Sequence, residues 1–293
     1  SFEGICLTDT FQLGEKISAE NLYSEQFPTN SQRVIEQKKK PITVIIGNPP
    51  YSAKQKNAND NAKNEYYHKL DEDVSNTYAA ASTANNKNSL HDSYIKAFRW
   101  ASSRLNEREG GVIGFITNSG WIDGMRKCLE KEFSAIYIFN LRGAIRSRSG
   151  DMAKREGQNV FDIMTGVAIT ILVKKPKAKG EKACIFYHDI GDYLSRNEKL
   201  TIIQNLTHIG NPQMQWAPVY PNEHGDWLNK RNEIFKLYIP LGNKEDKKDK
   251  KTFFVPYYSN GLKTQRDPWC YNSSKPIVQV TAKSQIDFDN AGN

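Results

Sequence analysis

The chain lacks several features that assign a protein to a class at sight. Its four cysteines, Cys6, Cys128, Cys184 and Cys270, lie far apart and form no C-x-x-C pair. That spacing argues against both a cysteine zinc site and a disulfide framework, and it suits reduced thiols in a cytoplasm. None of the five histidines, His68, His91, His188, His208 and His224, has metal-ligand spacing to another histidine or a cysteine, so they read as structural and no metal is expected. No segment approaches the apolar length of a membrane span, and the N-terminus lacks the charged and apolar regions of a signal peptide. The expectation is a soluble, cytoplasmic protein with no membrane partner. No internal repeat is visible, and no Gly-x-Gly triplet occurs anywhere.

What is present begins with length and charge. With 293 residues the chain is long enough for one large domain or two smaller ones. Its net charge of +8 favours a polyanionic partner, nucleic acid first, because attraction to phosphate needs no particular fold; plain solubility is the alternative.

Strand-like runs recur along the first two thirds: ICL near Ile5, TVIIGN from Thr43, GGVIGFIT from Gly110, AIYIFNL from Ala135, GVAITILVKK from Gly166 and ACIFYHDI from Ala183. TVIIGN is apolar on both faces, the signature of a central parallel strand. Between the strands, LHDSYIKAFRWASSRL sets Leu90, Tyr94, Ala97, Phe98, Ala101 and Leu105 at helical spacing, and DGMRKCLEKEF from Asp123 predicts a shorter helix. Alternating elements predict an α/β sheet covered on both faces. AIYIFNL and GVAITILVKK follow one another without a helix, which predicts an antiparallel pair at one end of that sheet. Residues 53–89 read as a polar excursion with one helical piece, YYHKLDEDV; residues 142–159 as a basic loop; residues 243–251 as a solvated charge run. After about residue 195, Trp, Tyr and Pro become frequent and helical periodicity is short and broken. The expected division is therefore residues 1–195 and the start of a second domain at 196–293.

The most informative stretch is ITVIIGNPPYSA, residues 42–53, where an apolar strand stops against Asn48, Pro49, Pro50 and Tyr51. Open α/β sheets place their ligands at the carboxyl edge of the strands. Pro49 has a fixed φ and no N–H, and Pro50 restricts Pro49 to extended values. The carbonyl of Pro49 and the amide oxygen of Asn48 are then two fixed acceptors, suited to a planar amino group with two hydrogens to give. Acceptors on both hydrogens favour the more pyramidal amine that develops as it attacks an electrophile, which is electrostatic preorganisation rather than proton abstraction. Tyr51 offers an aromatic face on which a flipped-out base can stack. The plainer reading is a turn after a strand, with Tyr51 as packing.

With these residues the chain resembles the γ-type DNA amino-methyltransferases, which methylate adenine N6 with S-adenosylmethionine. It looks most like the methyltransferase and target-recognition part of single-polypeptide, Type ISP, restriction–modification enzymes. The carriers are FEGICLTDTFQL, PITVIIGNPPYS, LHDSYIKAFRWAS, GGVIGFITNSGWIDG, NVFDIMTGVAITILVKK, IGDYLSRNEKL, HGDWLNKRN and YYSNGLKTQRDPWCYN, which together span nearly the whole chain. The resemblance implies a partial Rossmann-like methyltransferase sheet of mixed parallel and antiparallel strands, the catalytic domain over 1–195, and the start of a target-recognition domain over 196–293. It makes Asn48 and the Pro49 carbonyl the acceptors for the adenine amine, Tyr51 a stacking partner, and Phe161 in NVFDIM the cover for the base's other face. Phe161 also reads as a core phenylalanine at a strand's start. Asp9, after the short strand ending near Leu7, falls where the family lies beside the cofactor's adenine ring; it reads equally as a turn or capping aspartate.

One departure stands out. The glycine-rich turn for the methionine part of the cofactor, and the acidic residue for its ribose, are expected upstream of Asp9 and are absent from this sequence. The chain by itself is accordingly expected to bind S-adenosylmethionine weakly and to methylate little. The implied partners are double-stranded DNA and, by resemblance, nuclease and helicase regions of the same polypeptide. Candidate phosphate contacts are the basic loop with Arg142, Arg146, Arg148, Lys154 and Arg155, then Lys54 and Lys56 after the corner, and Lys263 and Arg266 among aromatics. Two other functions fit the same residues: a methyltransferase acting on a protein glutamine or an RNA guanine amine, and a non-catalytic DNA-binding module.

Overall fold

The computed structural model describes residues 4–15, 27–50, 66–84, 87–106, 108–120, 123–146, 148–176, 178, 180–228, 234, 237–243, 246, 248–254 and 273–291. The chain divides into two compact units, Ser1–Asn229 and Lys230–Asn293.

The first unit is built on six strands, β1 (Val44–Gly47), β2 (Gly111–Asn118), β3 (Ala135–Arg142), β4 (Val167–Lys174), β5 (Cys184–Asp189) and β6 (Ala217–Val219). They form one sheet in the order β1-β2-β4-β3-β5-β6. β1 runs parallel to β2 and β3 parallel to β5, whereas β4 is antiparallel to both its neighbours and β6 to β5. The mixed α/β sheet expected from the sequence is therefore what the chain forms.

The helices are α1 (Pro28–Lys39), α2 (His68–Val74), α3 (Ser93–Arg104), α4 (Asp123–Glu132), α5 (Gly150–Arg155) and α6 (Arg196–Leu206). α3 is buried without interruption from Tyr94 to Ser102. Its Ile95, Phe98 and Ala101 belong to one core with Ile113 and Phe115 of β2, Ile136 of β3, Leu172 of β4 and Met125 and Leu129 of α4. A second core holds Phe139, Leu141, Val167, Leu206 and Met214. Successive β3 side chains, Ile138 and Phe139, fall in different cores because strand side chains alternate between faces. Each fully buried apolar side chain contributes about 1.5–3 kcal/mol, so this double layer is what holds the sheet's edges in register.

Several sequence expectations are corrected. No strand forms at Ile5–Leu7; residues 5–9 are irregular, and both Ile5 and Leu7 are exposed. Among the described residues β1 pairs with β2 alone, and its Ile46 is 83% exposed. β3 and β4 do pair antiparallel, but at the middle of the sheet, because β4 threads between β2 and β3. The basic stretch 142–159 contains the short helix α5. The sheet also continues past the change of composition at residue 195, since β6 pairs with β5 and α6 begins in a Ser195–Glu198 capping box.

The second unit carries a long helix, α7 (Lys275–Ala291), over sequence whose periodicity looked broken. Ahead of it, Phe253 and Phe254 donate backbone hydrogen bonds to Pro240 and Leu241, closing a loop over the lysine-rich run.

Candidate active site

β1 delivers the chain to the sheet's carboxyl edge and ends at Gly47, after which Asn48, Pro49 and Pro50 form no regular structure. Asn48 and Pro50 are exposed and Pro49 half-buried. The corner opens on a cavity of about 470 Å³ whose wall also includes Asp9, Phe11, Tyr67, Lys96, Trp100 and Phe115. The structure thus brings Asp9 and the Asn48-Pro49-Pro50 corner to one cavity.

Asp9 is fixed from two sides. Its Oδ1 accepts from the Phe11 amide at 2.9 Å, a local turn bond, and its Oδ2 accepts from the Tyr67 hydroxyl at 2.6 Å. A carboxylate oxygen accepts more than one hydrogen bond, so the cavity-facing group keeps acceptor capacity. The Phe11 and Tyr67 rings pack edge to face with their centroids 5.2 Å apart.

Lys96, in that wall, belongs to a charged cluster that sequence reasoning did not single out. Lys96 Nζ lies 2.7 Å from Asp71 Oδ1, and both residues are 4% exposed. His91 Nδ1 meets Asp71 at 2.8 Å and the Tyr67 amide donates to Asp71 Oδ2 at 2.9 Å. Burial pushes the Asp71 carboxyl upward, but Lys96, His91 and the Tyr67 amide outweigh it and hold the group below the usual carboxylate range. Lys96 also sits over the Tyr67 ring, 5.4 Å from its centroid. The available signal was a lysine inside the apolar helical stripe Leu90 to Leu105, a position that demands a buried partner.

Phe161 precedes β4, and the residue is 41% exposed. Gly47 is opposite Phe115 across the β1–β2 pair, and Asn118 at the end of β2 is opposite Val167 at the start of β4. The Phe161 turn and the Asn48 corner therefore emerge at the same edge of the sheet, although Phe161 does not line the cavity.

The basic loop is largely occupied with its own acids. Arg142, in left-handed backbone at φ +58°, donates from Nε to Asp189 at 2.6 Å and from Nη1 to Asp192. Arg155 joins Asp192 at 2.6 Å and Arg148 joins Glu156 at 2.9 Å. Burial raises the Asp189 carboxyl, and the bonds from Arg142 and the Gly191 amide more than offset it, so its pKa falls below the ordinary value. Arg146 is exposed, with its backbone amide bonded to the Met164 carbonyl at 3.1 Å. Lys199, fully buried, donates to the carbonyls of Leu141 and Glu156, both at 2.9 Å, and burial lowers its pKa. Tyr51, Lys54, Lys263 and Arg266 lie outside the described residues. Among the described residues no group of three or more His, Cys, Asp or Glu is arranged to hold a metal, and no helix is long and apolar enough to cross a membrane.

This corner and cavity, on a mixed sheet with one reversed central strand, lie in a chain that belongs to the restriction–modification methylase family. Residues 5–143 carry the Eco57I restriction-modification methylase domain. The fold is that of the corresponding region of Type ISP enzymes. The structure of the ATP-dependent Type ISP restriction-modification enzyme LlaBIII bound to DNA is 45% identical over 99% of this chain and 19% of its own, with a TM-score of 0.85. A nuclease-deletion mutant of the Type ISP enzyme LlaGI, in complex with a DNA substrate mimic, is 39% identical over 96% of this chain and 22% of its own, with a TM-score of 0.77. A DrdV–DNA complex is 34% identical over 90% and 26%, with a TM-score of 0.73. The chain thus spans between 19% and 26% of the length of these relatives. No curated protein sequence matches it significantly.

Proposed function

We propose that this region transfers a methyl group from S-adenosylmethionine to the N6 amine of an adenine flipped out of double-stranded DNA. It does so in the cytoplasm, within a longer restriction–modification polypeptide that also carries nuclease and helicase regions. The observation that carries the proposal is the Asn48-Pro49-Pro50 corner opening on a cavity walled by aromatic rings and by Asp9. The DNA seen with LlaBIII, LlaGI and DrdV supports duplex DNA as the substrate. Residues 196–293 begin the part that recognises the target sequence.

The cavity's lining suits the nucleoside end of the cofactor: Phe11, Tyr67 and Trp100 give aromatic surface and Asp9 gives an acceptor. When bound, the cofactor supplies an electrophilic methyl group. The residues of this chain hold the acceptor amine. Asn48 Oδ1 and the Pro49 carbonyl would accept its two N–H groups, favouring the geometry in which the nitrogen lone pair leaves the ring's conjugation; as the N–C bond forms, the cofactor's S–C bond would break to leave a thioether and one N–H proton would pass to solvent. Tyr51 and Phe161 flank the extruded base, and Arg146, Lys54, Lys263 and Arg266 contact phosphates; Arg142 and Arg148, held by acids, shape the loop that carries them.

The test uses the complete polypeptide and S-adenosylmethionine with duplex DNA and, in separate arms, RNA and a glutamine-containing protein, with mass detection of the methylated products. N6-methyladenine is expected, and Asn48→Ala should reduce its formation about 10²- to 10³-fold with unchanged melting, as for other preorganised hydrogen-bonding groups removed from an active site. Methyl groups appearing on a protein amide or an RNA guanine, or no methylation of any acceptor, would overturn the reading.

A further inference from the structure

We propose that Asn159 is a positioning residue that presents Phe161 to the extruded base; this rests on the stacking role given to Phe161 above. Phe161 is a large apolar residue left 41% exposed, while its neighbour Val160 is buried at 6% and Asn159 at 7%. The exposed residue is therefore not a loose end of a mobile stretch, since the backbone on its N-terminal side is anchored.

The anchor is a three-bond clip. Asn159 Oδ1 accepts from the Phe161 amide at 2.9 Å, and Asn159 Nδ2 donates to the Thr165 carbonyl at 2.8 Å and to the Gly143 carbonyl at 3.3 Å. One buried side chain thus closes the turn from both ends and ties it to the chain leaving β3. Inside the clip, Asp162 adopts left-handed backbone at φ +56°, a turn conformation that aspartate tolerates better than most side chains. The flanks are stitched as well: the Gln158 amide donates to the Leu194 carbonyl, and the Arg196 amide donates to Gln158 Oε1, both at 2.9 Å. A buried amide with donor and acceptor both used has no equivalent among other side chains of its size. Aspartate keeps only the acceptor bond, and alanine keeps none.

A residue acting through Phe161 differs from a merely structural one in how losses combine. Methylation kinetics of the complete polypeptide are measured for Phe161→Ala, Asn159→Ala and the double variant, with Asn159→Asp as the milder replacement. Cofactor affinity and melting serve as controls. Removing the stacking ring should lower kcat about tenfold or more, the scale of a lost base–aromatic stack. Asn159→Ala should lower kcat to a similar degree while KM for DNA and cofactor affinity stay put, and the double variant should be no slower than Phe161→Ala alone. Should Asn159→Ala fail to fold, the same cycle run with Asn159→Asp decides. An unaffected kcat in the Asn159 variants, or losses that multiply in the double variant, overturns the clip while leaving the stacking role intact. A Phe161→Ala enzyme of normal kcat removes the stacking role and the clip together.

Discussion

The Asn48 corner and the Phe161 turn emerge at one edge of the same sheet and are stiffened by opposite means. The corner is rigid covalently: two consecutive prolines fix its backbone wherever the segment is placed. The turn is held by hydrogen bonds, local ones from Asn159 to Phe161 and Thr165 and tertiary ones from Asn159 to Gly143, sixteen positions away, and from Gln158 to the α6 terminus. A covalent device survives loss of its neighbours; a device made of hydrogen bonds fails when one partner moves. On the function proposed above, binding the methyl acceptor from two sides would rely on one half that local sequence guarantees and one half that the fold must supply.

The corner's own dependence on the fold sits in the buried pair that Lys96, in the cavity wall, makes with Asp71. Lys96→Met leaves a buried carboxylate without its cation and should destabilise the protein by about 3–5 kcal/mol, measurable by urea denaturation. Adding Asp71→Asn should recover much of the loss. Because the folded-state pKa of Asp71 is depressed, the pair's stabilisation is fully present above the ordinary aspartate value of 3.8 and is lost as the pH falls through the lower folded value. Wild type should therefore lose this stability in acid below that range, and the double variant should show a flatter profile.

The turn is broken more selectively at Gly143, whose backbone is left-handed at φ +85° and where an added Cβ would lie 2.7 Å from Asn159 Nδ2. Gly143→Ala should cost about 1–3 kcal/mol and lower methylation, with cofactor affinity at the corner unchanged. Equal loss of both would mean that the two halves are not independent, and the contrast between them would fall.

The smallest effect separates the loop's arginines. Arg146→Ala should leave melting unchanged, weaken binding to unrelated duplexes alike and reduce the salt slope by about one unit. Arg142→Ala instead strips Asp189 and Asp192 of their shared cation, so its effect should appear first in the melting temperature. Filter binding across a salt series, run beside thermal melts, sorts the two.

Much of this architecture is legible in the residues. The runs from Thr43, Gly110, Ala135, Gly166 and Ala183 all contain strands, and the stripe Leu90 to Leu105 contains α3, because burial on a face writes its period into the local sequence. The order of the strands is not legible. β3 and β4 are adjacent in both sequence and sheet, yet β4 also pairs with β2, which no local pattern encodes. The same limit hid the Arg142–Asp189 pair, 47 positions apart, so residues 142–159 read as a free basic loop.

By itself, then, the sequence determined the covalent geometry of the Asn48-Pro49-Pro50 corner and the periodic faces of its strands and helices, since both arise from bonds and spacings between near neighbours. Only the tertiary structure decided that Asp9 shares the corner's cavity, that Lys96 is locked to Asp71, and that Asn159 ties the Phe161 turn to Gly143. Those contacts join residues far apart in the chain, and their energies exist only once packing has excluded water and brought donor and acceptor within reach.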